Sequence, residues 1–92
     1  MKAPAGSQGG RRRDLLHLGH LAAFRAFCES EGWQEEPARG HYEALRMRRS
    51  PVDPPLIVHR KADAVEHYTV WGESARMARR FFAERRRAEG RT

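Results

Sequence analysis

Residues 41–72 read HYEALRMRRSPVDPPLIVHRKADAVEHYTVWG, and the punctuation of this stretch decides the fold. Over 41–49, Glu43, Leu45 and Met47 alternate with Tyr42, Ala44, Arg46 and Arg48, the period of a half-buried strand. The buried face of that strand stays open, because Tyr42 and Ala44 compete with Leu45 and Met47. Residues 50–55 hold three prolines and an aspartate and predict a turn. Residues 56–61 predict a second strand, with Leu56 and Val58 on one face and Ile57 and His59 on the other. After a connection at 61–65, residues 67–71 predict a third, with Tyr68 and Val70 inward and His67, Thr69 and Trp71 outward, ended by Gly72. Connections this short favour an antiparallel meander.

Helices are expected on both flanks. Asp14 is a good N-cap, and Leu15, Leu18, Leu21, Ala22, Phe24 and Cys28 follow at helical spacing. Gly32 suits the left-handed position after the last turn. Trp33 then folds back on Cys28 in a Schellman ending. Residues 34–40, acidic and broken by Pro37 and Gly40, read as a loop. Ser74 is the expected N-cap of a second helix running to about Arg87, with Ala75, Ala78, Phe81 and Phe82 on its buried face. The predicted class is α+β in the order αβββα: a three-stranded antiparallel sheet with both helices packed on one face. The other face is left to water, displaying some of Arg46, Arg48, His59, Lys61, His67 and Thr69. Residues 1–13 read as a disordered basic arm, 14–88 as one domain and 89–92 as a frayed end.

The chain has 92 residues and a net charge of +6, unevenly placed. Residues 1–13 carry +4, 14–40 carry −3, 41–61 carry +3, 62–72 carry −2 and 73–92 carry +4. A chain of this length supports one small core. The single cysteine, Cys28, excludes an intrachain disulfide and a site with several thiolate ligands. A reducing, cytoplasmic setting is expected. No apolar run approaches the ~18 residues of a membrane span, and the first residues lack the apolar stretch of a secretory signal. No glycine-rich phosphate loop, serine triad or cofactor fingerprint is present, so no cofactor is expected.

Function is read from charge. Seven arginines fall within residues 73–92, mostly along the amphipathic last helix, where guanidinium groups suit phosphate or carboxylate partners. The expectation is a non-catalytic binding module for an anionic partner, nucleic acid first, using Arg46, Arg48, Lys61, Arg76, Arg79 and Arg80. An acidic protein surface is the alternative, and the unpaired edges of a three-stranded sheet allow a weak homodimer. A continuous positive face would support nucleic acid; an apolar patch ringed by charge would support a protein. Trp71 and Tyr42 are the rings placed to stack bases if exposed. His41 with Arg46 or Arg48 is the nominee for RNA cleavage, but no second acid or base lies at related spacing, so no enzyme is expected. His17 and His20 share a helix face without a third ligand, which makes a poor metal site.

In its order of elements the chain resembles the double-stranded RNA-binding domain. Gly72, Ser74, Arg76, Arg79 and Arg80 stand where that family grips phosphates with the start of its last helix. The paired lysines of the family are absent, and the loop between its first two strands is here proline-rich. Gly32, Trp33, Gly40 and His41 are similar to the glycine and histidine of small HicA-type toxins, which cleave RNA, though the intervening serine is missing. The general look also resembles small accessory proteins of bacteriophages and prophages, which implies a host or phage protein as partner.

Overall fold

The computed structural model describes residues 14–60 and 66–90. The expected arm at 1–13, Lys61 and the connection at 61–65 lie outside them. Along the described residues run β1 (Asp14–His17), a 3-10 turn (Leu18–His20), α1 (Leu21–Ser30), β2 (Gln34–Glu36), β3 (Glu43–Arg48), β4 (Leu56–His59), β5 (His67–Val70) and α2 (Glu73–Gly90). The strands form one antiparallel sheet in the order β1-β5-β4-β3-β2. The class is therefore α+β, but the sheet has five strands where three were expected.

β3, β4 and β5 form the expected meander, and the two added strands flank it. β1 replaces what reads as the first turns of a helix. It pairs with β5 from Asp14↔Val70 to His17↔His67, and Leu16 is fully buried. Asp14 accordingly opens a strand and not a helix. The helix is delayed to Leu21 by the 3-10 turn, where His17 Nδ1 accepts the Gly19 N–H at 3.0 Å. β2 replaces the expected loop, pairing Gln34↔Arg48, Glu35↔Met47 and Glu36↔Arg46.

The open question of the β3 face is settled by the register. Glu43 pairs with His59 and Leu45 with Val58, so the strand carries an extra residue, Ala44, in a bulge. Leu45 and Met47 are buried, Tyr42 is exposed, and the bulge turns Glu43 onto the same face as Arg46, where their side chains bond.

One apolar cluster gathers Leu16, Leu45, Met47, Leu56, Val58 and Val70 from the sheet with Phe24 and Cys28 of α1, Met77, Ala78 and Phe81 of α2, and Trp33. Phe24 meets Phe81 edge-to-face at 5.7 Å. The end of α1 is the Schellman ending the sequence predicts: Trp33 N–H donates to the Cys28 carbonyl and Gly32 N–H to that of Glu29, at 3.0 and 3.1 Å. Gly32 has φ +98° there, a conformation that a side chain resists. α2 begins differently from expectation. Its first internal bond runs from Arg76 N–H to the Gly72 carbonyl, which makes Gly72 the cap. Ser74, fully buried, instead accepts the Trp71 N–H and donates to the Trp71 carbonyl, each at 3.0 Å. The helix runs to Gly90, past the expected end near Arg87. No helix among the described residues is long and apolar enough to cross a membrane.

Candidate functional site

The arginines singled out by the sequence fall in two groups. Arg46 is only 6% exposed: its Nε donates to Glu36 Oε1 at 3.3 Å and its Nη1 to Glu43 Oε2 at 2.9 Å. Beside it Arg48 Nε donates to Glu36 Oε2 at 2.8 Å and Nη1 reaches the Asp53 carbonyl. Glu36 is thus clamped by two guanidinium groups. The Arg48 hydrogen bond foremost, then its charge and the Arg46 contacts, hold its carboxyl below the ordinary value despite some desolvation. Over β2 and β3 the sheet face is a set of mutual ion pairs.

The second group lies on α2. Arg76 pairs with Glu73 one turn earlier, and Arg80 reaches Glu31 at the end of α1 at 2.6 Å. Arg79 lines a groove of about 330 Å³ with Leu15, Ala78, Phe82 and Arg86. The groove runs between the outermost strand β1 and α2, with apolar Ala78, Phe82 and Leu15 flanked by two guanidinium groups. Leu15 is 57% exposed. Of the described cations nominated from sequence as binding residues, only Arg79 lines it. Leu15 escapes the reading because its strand does. Arg86 was legible in principle, since it stands seven residues from Arg79 on the same face of the helix.

A second concavity of about 430 Å³ is lined by Pro54, Pro55, Ile57, His59, Trp71, Gly72 and Glu73. Trp71 is 56% exposed, and its Nε1–H donates to His59 Nδ1 at 3.1 Å. The ring is open, as base stacking requires, but its neighbours are prolines, Ile57 and His59 rather than Arg46.

The histidines are dispersed in role. His41 sits in the turn ahead of β3, with its ring against Tyr42 and its carbonyl accepting from Arg60. His17 meets His67 edge-to-face at 5.2 Å, and His20 packs on Phe81 and Phe82. Among the described residues no group of three or more His, Cys, Asp or Glu could hold a metal ion. Burial pushes the Cys28 thiol up to about 12, aided by Glu31 and opposed by Arg80, so it is held as the protonated, unreactive form.

No family model, no curated protein and no solved structure matches this chain.

Proposed function

We propose that the protein is a small non-catalytic binding module for an anionic partner, engaged at the β1–α2 groove, and that this partner is an acidic segment of another protein. The observation that carries the reading is the composition of the groove: apolar Leu15 and Phe82, over the buried Ala78, between Arg79 and Arg86. Apolar contact with charge at the rim is the pattern of a protein-binding patch. A nucleic-acid track asks for a run of cations facing solvent. Here Arg46 lies buried against Glu36 and Glu43, while Arg48, Arg76 and Arg80 each meet a carboxylate. The reading keeps the likeness to phage accessory proteins, which implies a protein as partner.

The test compares polyglutamate, duplex RNA, duplex DNA and single strands as labelled ligands across a salt series. Arg79→Ala/Arg86→Ala is the site variant and Arg76→Ala the control. The expected result is polyglutamate binding that falls with salt and is lost in the site variant but not in the control. Tighter binding of any nucleic acid, with a steep salt slope, replaces the protein partner by a polynucleotide.

A further inference from the structure

We infer that the groove is filled by strand addition: an extended acidic segment of a partner protein pairs with the outer edge of β1 and lays an inward side chain against the half-buried Phe82. This rests on the anionic-partner reading above and specifies how that partner is held.

The backbone of β1 supplies the first half of the argument. Just past the strand, Leu18 N–H donates to the Glu66 carbonyl at 3.0 Å. The register pairs of β1 and β5 continue the same ladder. Antiparallel pairing alternates between pairs that exchange hydrogen bonds and pairs that do not. Leu16↔Tyr68 is therefore a bonded pair, and Leu15↔Thr69 and His17↔His67 are the non-bonded ones. The 5.2 Å contact between the His17 and His67 rings agrees with the closer side chains of a non-bonded pair. Leu15 and His17 consequently turn their N–H groups away from β5, toward the outer edge, and among the described residues β1 has no strand beyond it. An edge with such groups is a template for another strand.

The groove supplies the second half, which is selectivity. Alternate side chains of an added strand point to one side, and those turned toward α2 meet the half-buried Phe82 between the two arginines. Arg86 stands seven positions beyond Arg79 along the helix, about 10.5 Å at 1.5 Å per residue. Strand positions four apart span about 13 Å, a difference that flexible arginine side chains take up. The segment therefore reads acidic, any, apolar, any, acidic. A second copy of β1 fits worse, because two-fold pairing of the edges brings two sets of Arg79 and Arg86 to one side of the joined sheet.

The experiment titrates the capped peptide Gly-Ser-Glu-Thr-Leu-Thr-Glu-Ser-Gly into the isotopically labelled full chain and follows amide resonances. Its companions are the same peptide N-methylated along its central backbone, and the variants Leu15→Pro, Leu15→Ala and Arg79→Ala/Arg86→Ala. Proline is admissible on an edge where the lost N–H faces outward, and Leu15→Ala separates loss of the side chain from loss of the donor. The N-methylated peptide asks the same question of the unaltered protein. The expected result is downfield movement of the Leu15 and His17 amide protons. N-methylation, Leu15→Pro and the arginine pair should each weaken affinity by about tenfold or more. Binding that needs the arginines but ignores Leu15→Pro and N-methylation overturns strand addition and leaves the anionic-partner reading standing. Binding indifferent to Arg79 and Arg86 overturns both. Concentration-dependent self-association abolished by Leu15→Pro overturns the acidic segment and makes a second copy the occupant.

Discussion

Replacing Arg46 by methionine tests whether this arginine serves the fold or a ligand. The side chain is 6% exposed and bonds both Glu36 and Glu43. Methionine fills much of its volume but leaves the Glu43 carboxylate, among the described residues, with one partner, the Arg39 N–H at 2.7 Å. Breaking a fully buried ion pair costs about 3–5 kcal/mol. Glu36 is partly open and keeps Arg48, so the expected cost is about 2–3 kcal/mol, or roughly 10–20 °C of Tm in a domain this small. Urea and thermal melts followed by circular dichroism measure it. The sign with pH is fixed by Glu36. Its folded pKa lies below the unfolded value, so its contribution is present above the unfolded pKa and is lost as pH falls through the folded one. The gap between wild type and Arg46→Met should therefore narrow in acid. Adding Glu43→Gln, which removes the uncompensated charge, should recover part of the loss. A variant that melts within about 2 °C of wild type at neutral pH, or that Glu43→Gln fails to improve, refutes the structural role. If in addition the variant loses partner binding, Arg46 belongs to an interface.

Three further outcomes are expected. Phe24→Ala removes a fully buried ring packed edge-to-face on Phe81 and should cost about 3–5 kcal/mol by urea denaturation, leaving little or no folded protein at 37 °C. Cys28, with its thiol pushed up to about 12, should resist a disulfide reagent at pH 8 in the native state and react at once in denaturant; native labelling at the rate of a free thiol contradicts its burial. Gly32→Ala meets nothing within 4 Å, so its cost is purely that of holding alanine at φ +98°, about 1 kcal/mol in a melt.

Legibility followed the strength of the local period. β4, β5 and α2 were readable because their apolar positions repeat at two or at three to four residues, and the Gly32–Trp33 ending because its glycine has one good explanation. β1 was not, because Asp14, Leu15, Leu16 and His17 fit the opening of a helix as well as a short strand, and what selects the strand is the free edge of β5 far along the chain. β2 was not, because charge pairs hold it: Glu36 sits opposite Arg46, and carboxylates carry no apolar alternation to read. The site suffered from the same gap. Arg46 and Arg48 resemble solvent-facing cations until β2 brings Glu36 over them, ten and twelve positions away in sequence. Without β1 the groove at Arg79 and Arg86 has only one wall.

The bulge at Ala44 bears on how this gene tolerates change in length. Losing one residue from a strand ordinarily exchanges its two faces up to the nearest turn. Glu43 and Leu45 already face consecutive partners, His59 and Val58, so excising Ala44 restores a regular ladder with Leu45 still inward and Glu43 still beside Arg46. An in-frame loss of the Ala44 codon should cost only that half-buried methyl group, whereas loss of Arg46 or Met47 would reverse part of the strand. Within β3 the chain has one place where it can shorten and remain the same sheet.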